Sequence, residues 1–330
     1  MRVTVLGGGS WGSTVASLAA RRNETVLWAR DPDVATEVHE HHTNRRYLAD
    51  LQLNPKLVAT PDLREAVLGT DVLVVGVPSH GFRQVLADAA TWVRPWVPVV
   101  SLTKGLEQGS LLRMTQIIED VLPGHPAAAL TGPNLAREIL SGQAAAAVLA
   151  TADPRVAKAL QGVFKTALFR VYINHDVVGC EIGGALKNVI AIATGLAQGL
   201  QVGDNTRAMV ITRGLAELTR LGVAMGGQPT TLAGLAGMGD LLATAMSPLS
   251  RNRSVGEQLG RGRPLADILA EMNMVAEGVK TASTVMELAE RHHVDLPICE
   301  VIYRVVNGEI LARDAYRGLS RQPGLEADPG

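Results

Sequence analysis

Apolar residues fall along this chain in two rhythms. Over the first half they come in short continuous runs, at 3–6, 25–28, 72–77, 97–102, 127–131, 145–150 and 168–173, many of them β-branched. Runs of that length without polar alternation predict strands covered on both faces. Between them, 12–22, 79–91, 110–121 and 153–165 carry apolar residues at helical spacing. Strand alternating with helix implies βαβ units and a mostly parallel, doubly wound sheet. After Asn174 the strand runs stop. The remaining text is rich in Ala, Leu, Gly, Glu and Arg at helical spacing, as in the stripe Val279, Ala282, Val285, Met286 and Ala289. Helix starts are expected at Pro264 and at Thr281 or Ser283, with a further helix over 254–260. The expected fold class is therefore α/β, with a nucleotide-type sheet domain over 1–178 and an all-helical domain over 179–330. The many Gly and Ala residues between 183 and 240 predict close helix packing, at a site or between subunits. The tail from Gln322, with its Pro and Gly residues, is expected to fray.

Composition narrows the function classes. The chain has 330 residues, 47% hydrophobic but only 3% aromatic. It can build a large aliphatic core but offers little surface for stacking bases, which argues against a nucleic-acid partner. A formal net charge of −1 supplies no global field, so an anionic ligand must be held by local charge. Cys180 and Cys299 sit in no metal-ligand or redox spacing, and the histidines at 39, 41 and 42 read as a surface helix, so no metal is expected. The start lacks the pattern of a secretory signal, and no uncharged apolar run is long enough to cross a bilayer. A cytoplasmic protein without an integral membrane segment is expected. Lysine is scarce: Lys56, Lys104, Lys158, Lys165, Lys187 and Lys280 are the only six, and the other 25 of the 31 cations are arginine.

One motif points to a cofactor. Gly7-Gly8-Gly9-Ser10-Trp11-Gly12 is a G-x-G-x-x-G that follows the first strand run and opens a helix. Its glycines suit a tight turn at Gly7, close approach to a pyrophosphate at Gly9 and close helix–strand contact at Gly12, the Rossmann arrangement for a dinucleotide. A merely flexible glycine loop is the alternative. The second strand run ends in Arg30-Asp31. Arg30 favours the 2′-phosphate of NADP, while Asp31 keeps NAD open.

Two lysines lie where chemistry is expected. Lys104 follows a strand run at the edge where open α/β sheets bind ligands. Lys187 sits among apolar residues early in the first long helix of the second half, where desolvation would lower its amine pKa and fit it for proton exchange. The set GGGSWG at 7–12, TKGLE at 103–107, GPNLARE at 132–138, GGALKNVIAIATGL at 183–196, AGMGDLLAT at 236–244 and SRNR at 250–253 resembles the bacterial NAD(P)-dependent glycerol-3-phosphate dehydrogenases, over residue 2 to about residue 310.

The resemblance implies reversible reduction of dihydroxyacetone phosphate to sn-glycerol 3-phosphate, supplying glycerophospholipid synthesis. In it Lys187 is the proton acceptor of the oxidative direction, Lys104 touches cofactor and substrate, and Asp240 orients lysine and substrate hydroxyl. Ser250, Arg251 and Asn252 contact the substrate, Arg251 also reaching the cofactor. Gly132 and Asn134 approach the substrate, although the family commonly has a hydroxyl residue at 134. Ser10, Trp11, Ala136, Val275 and Glu277 complete the cofactor contacts, and a homodimer is expected. Each residue also has a plain reading: Lys187 as a snorkelling lysine, Lys104 as a loop lysine, Asp240 as a helix cap, the arginines from 251 to 263 as a solvated face, Glu277 as a solvated helix residue. Two other functions compete. A β-hydroxyacid dehydrogenase of like architecture would not need the SRNR cradle, and a dinucleotide sensor without turnover would not need Lys104, Lys187 and Asp240 together.

Overall fold

The computed structural model describes residues 1–272 and 275–317; the tail expected to fray lies outside them. Eight strands form one sheet: β1 (Arg2–Leu6), β2 (Glu24–Trp28), β3 (Val58–Thr60), β4 (Val72–Val75), β5 (Val99–Ser101), β6 (Ala127–Thr131), β7 (Ala145–Ala150) and β8 (Phe169–Asn174). Their order is β3-β2-β1-β4-β5-β6-β7-β8. All neighbours run parallel except β6 and β7, paired antiparallel through Leu130 and Leu149. The apolar runs are strands for the expected reason: Val3, Val5, Leu73, Val74, Val99 and Val100 are wholly buried between helices on both faces. The run 72–77 stops as a strand at Val75 because Gly76 turns onto the first glycine loop, its N–H bonding Leu6 O at 2.7 Å. The edge strand β3 carries no comparable run, since Val58 is exposed.

From Val177 onward the described residues form helices joined by short turns, with no strand among them. The Val177–Gly199 helix is the core of this half, buried along nearly its whole length. It alone among the described helices is, unbent, long and apolar enough to cross a bilayer, but 89% of its apolar window is buried inside the fold. Its direction follows from the reversed pair β7 and β8. Because β8 runs against β1–β6, it delivers the chain at Asn174 level with Ala150, and Thr151 there bonds Ala127 at the start of β6. The helix then climbs back along the sheet, and its Gly184 reaches Thr131 at the end of β6.

Small residues set the packing of this helix. A Cβ on Gly195 would stand 1.9 Å from the carbonyl oxygen of Arg253, and one on Gly256 2.0 Å from that of Ile192. The backbones of Val177–Gly199 and Arg251–Gly260 thus touch directly, so at this crossing the Gly-rich text serves contact within the chain. An ion pair ties the two halves: Glu181 accepts from Arg113 Nη1 at 2.6 Å and from Thr115 N at 2.9 Å.

Several helix starts differ from expectation; the stretch expected over 110–121 is helical only from Met114, because Arg113 is bridged to Leu106. The helix containing Thr281 and Ser283 runs Glu277–His292, so both lie inside it rather than at its start. Its first residue is fixed by a contact with a distant part of the chain, described below. The helix expected over 254–260 begins at Arg251, with Ser250 as its N-cap accepting from Arg253 N at 3.2 Å. His39 and His41 are exposed on the Pro32–His41 helix.

Candidate active site

The ends of β1, β4, β5 and β6 form one edge, and the helical half closes over it. At β1, Gly7 has φ +123, and a Cβ there would strike Gly76 O at 2.6 Å, so only glycine makes this turn. A Cβ on Gly12 would stand 2.0 Å from Gly7 O, which brings the Ser10–Ala19 helix hard against the loop. Asn44, wholly buried, clamps the loop by donating to Gly8 O at 2.8 Å and Ser13 Oγ at 2.9 Å. Nothing lies within 4 Å of a Cβ placed on Gly9, and Gly9 offers the helix no side-chain cap. The first-turn N–H groups are thus left without a side-chain cap and with room beside Gly9, which suits a phosphate. Trp11 packs edge-on to Phe169 at 6.2 Å while its Nε1 is buried without a partner. Ala136 opens the Ala136–Leu140 helix and packs on the same core.

At the end of β2, Arg30 is exposed. The neighbouring acid is already engaged: Asp31 caps the Pro32–His41 helix through Asp33 N at 3.0 Å and pairs with Arg46 at 2.6 Å. Arg30, beside it, takes no part in the Asp31–Arg46 pair.

The centre of the edge is a carboxylate shared by two lysines. Asp240 is the first residue of the Asp240–Met246 helix, after a π-helical turn over Leu235–Gly239. It is not a cap. Its Oδ1 accepts from Lys187 Nζ at 2.7 Å and its Oδ2 from Lys104 Nζ at 2.7 Å, with the carboxylate side chain 2% exposed. Lys187 donates a second bond to Thr244 Oγ1 at 2.6 Å, and Lys104 a second to Gly132 O at 2.7 Å. An ammonium has three N–H groups, so each lysine keeps one for a ligand. Burial pushes the Lys187 amine down from the ordinary lysine range to about 7; the attraction of Asp240 opposes this, and the repulsion of Lys104 and Arg251 adds to it. Without Asp240 the buried Lys187 ammonium and the half-buried Lys104 ammonium would face each other without a counter-charge.

Around this centre the amides form a chain. Asn188 donates to Lys104 O at 3.1 Å, Asn252 donates to Asn188 Oδ1 at 3.0 Å, and Gly278 N donates to Asn252 Oδ1 at 2.9 Å. Arg251 is exposed, donates to Val275 O at 2.9 Å and has no ion-pair partner among the described residues. The other cations nearby are spent: Arg253 and Arg261 pair with Glu257, and Arg263 with Glu271. Both ends of the Asn134 amide, and the Thr131 hydroxyl, are buried without partners. A buried amide with nothing to bond is costly unless a ligand completes it. Glu277 opens its helix and bonds Ser79 across the site.

The edge thus gathers Lys104, Gly132, Lys187, Asp240 and Asn252 into one bonded cluster, flanked by Ser250 and Arg251, while Gly7–Gly12 and Arg30 stand along β1 and β2. Thr244, Asn188, Asn44 and Ser79 were not singled out from sequence. Thr244 carried a signal, standing one helical turn after Asp240; Asn44 and Ser79 lie in no motif and are recruited by the fold. The open glycine loop and the orphaned polar atoms fit a dinucleotide.

Comparison with known proteins agrees. The N-terminal model of NAD-dependent glycerol-3-phosphate dehydrogenase matches residues 2–157 and its C-terminal model residues 176–317. A Sphingopyxis alaskensis protein named glycerol-3-phosphate dehydrogenase (NAD(P)+) 2 is 59% identical, covering 100% of this chain and 99% of that one. A Mycobacterium avium glycerol-3-phosphate dehydrogenase (NAD(P)+) is 56% identical over 98% of this chain and 96% of its own. The crystal structure of glycerol-3-phosphate dehydrogenase from Coxiella burnetii superposes with a TM-score of 0.93 at 33% identity, covering 97% of this chain and 99% of that one. A ketopantoate reductase from Ralstonia eutropha, at 18% identity and a TM-score of 0.62 over 96% of this chain and 100% of its own, shares the fold. By sequence over almost its whole length and by structure, the chain belongs to the NAD-dependent glycerol-3-phosphate dehydrogenase family, a family of NAD(P)-dependent oxidoreductases.

Proposed function

We propose that this chain reversibly reduces dihydroxyacetone phosphate to sn-glycerol 3-phosphate, with Lys187 exchanging the proton at the C2 oxygen. The observation that carries the reading is the Asp240 carboxylate bridging Lys187 and Lys104 at 2.7 Å each. It holds two N–H donors side by side at the ligand edge, and the buried amine of Lys187 titrates near neutrality, where a group can serve as both acid and base.

A bound reduced nicotinamide supplies the hydride that becomes the new C2–H bond. Gly7, Gly9, Ser10, Trp11 and Gly12 would hold the pyrophosphate end, Arg30 the 2′-phosphate of NADP, and Ala136, Val275, Glu277 and Arg251 the remainder. The free N–H of Lys104 donates to the substrate oxygen and draws charge onto it. Lys187 gives its proton to that oxygen, ending as a neutral amine beside Asp240; in oxidation the neutral amine takes the hydroxyl proton. Ser250, Arg251 and Asn252 grip the phosphate through hydroxyl, guanidinium, amide and helix-start N–H groups. The unpartnered Asn134 amide can both donate and accept, which matches the substrate's terminal hydroxyl.

The product would feed glycerophospholipid synthesis from the cytoplasm, with the chain acting as a homodimer. The experiment is to follow oxidation of NADPH, and then NADH, with dihydroxyacetone phosphate and separately with dihydroxyacetone. Turnover is expected with the phosphate ester alone, and equal rates with both would overturn the phosphate cradle and favour a plain hydroxyacid-type enzyme.

A further inference from the structure

We propose that Ser79 is a positioning residue for the cofactor, acting through Glu277 as a clasp between the sheet and the helical half. Ser79 opens the Ser79–Ala90 helix after β4, the strand next to β1. Its hydroxyl donates to Glu277 Oε2 at 2.7 Å and its backbone N–H to Glu277 Oε1 at 3.3 Å. Both oxygens of one carboxylate are thus held by one residue 198 positions away in the chain. Ser79 is itself 4% exposed, so the contact is shielded from water.

The clasp is built into the backbone of the catalytic cluster. A Cβ on Gly105, the residue after Lys104, would lie 3.0 Å from Ser79 Cβ and 3.3 Å from Glu277 Oε2. Glycine at 105 leaves room for the pair to seat against the Lys104 peptide. On its other side, Gly278 N bonds Asn252, Asn252 bonds Asn188, and Asn188 bonds Lys104 O. The contacts close a circuit from Ser79 through Glu277, Asn252 and Asn188 to Lys104 and back through Gly105.

The physical need lies in the charge of Glu277. A dinucleotide brings several negative charges to this edge, and a carboxylate free to swing there would repel them. Two donors from Ser79, at a helix N-terminus, hold the carboxylate in one orientation and offset its charge. Removing the hydroxyl releases one oxygen and leaves only the long N–H bond.

The proposal rests on the reading of Glu277 as a cofactor contact, and a binding titration separates the two. NADPH is titrated into the substrate-free protein, following tryptophan quenching, for wild type, Ser79→Ala, Ser79→Thr, Glu277→Ala and the double Ser79→Ala/Glu277→Ala. Melting curves confirm that each variant is folded. Loss of a charge-assisted hydrogen bond predicts a Kd raised about tenfold in Ser79→Ala, restored to within about threefold by Ser79→Thr. The double variant should bind no worse than the weaker single, because both substitutions break one device. Additive losses in the double variant, or an unchanged Kd in Ser79→Ala beside a weakened Glu277→Ala, overturn the clasp. An unchanged Kd in Glu277→Ala overturns the reading of Glu277 itself and the clasp with it.

Discussion

Replacing Asp240 by Asn keeps the shape of the side chain and removes the charge that two ammoniums share. A charge pair about 4 Å apart at an effective dielectric constant near 20 is worth roughly 4 kcal/mol, equivalent to about 3 units of lysine pKa. With partial relaxation, the Lys187 amine, already lowered to about 7, should fall by a further ~2–3 units. The sign is definite: loss of a counter-charge disfavours the ammonium, so the proton leaves at lower pH. In the proposed mechanism, reduction draws on that proton. At about pH 7.5 the protonated fraction would drop from roughly a quarter to about 10⁻³, a loss of a few hundredfold in reductive kcat. The assay is a pH series of cofactor oxidation with saturating dihydroxyacetone phosphate. Wild-type turnover should decline as pH rises through about 7, and Asp240→Asn turnover should decline at a limb ~2–3 units more acid, recovering as the buffer is acidified. A variant that is slow but keeps the wild-type limb would show that Asp240 does not set the charge on Lys187.

Three further outcomes are expected. Arg251→Ala removes the cation of the 251–263 stretch that has no ion-pair partner among the described residues, so KM for dihydroxyacetone phosphate should rise by about 10²-fold, a charge-assisted hydrogen bond and more; a rise confined to the cofactor KM would reassign the residue. Arg30→Ala should raise the KM for NADPH about tenfold and leave that for NADH unchanged, because Asp31 is already committed to Arg46; parallel shifts of both constants would contradict this. Gly195→Val forces a branched side chain where even a Cβ would stand 1.9 Å from Arg253 O, so the melting temperature should fall by several degrees, with a cost of about 3 kcal/mol or more; an unchanged melting curve would mean the helices can part without penalty.

Much of the site could be read in the text because chemistry restricts residue choice. The glycine loop could be read because Gly7 and Gly12 each demand the absence of a side chain, and Lys104 and Lys187 because amines are so few. Asp240 was legible as an acid in an apolar stretch that had to find a cation. The cases that escaped share a physical cause. Ser79 meets Glu277 only after the helical half folds over the sheet, and the helix at Glu277 starts where that contact places it, ahead of Thr281 and Ser283. Likewise β3 is a strand because it extends β2 in register from Val26 to Trp28, not because its own three residues prefer it. Local pattern carries helix interiors and buried strands, whereas starts, edges and cross-half bonds are decided by partners far away in sequence.

The reversed strand pair has a consequence for which changes of length the chain can survive. From the end of β8 the helix acts as a ruler, and Lys187 is its mark. One residue inserted between Val177 and Leu186 would swing that mark by about 100° around the axis; three or four would restore the bearing but carry the amine on by about 5 Å. Either error exceeds what a contact of 2.7 Å to Asp240 tolerates. The helical half is therefore gauged in whole residues from the sheet, and insertions that exposed loops absorb freely should be absent from this stretch in any working copy.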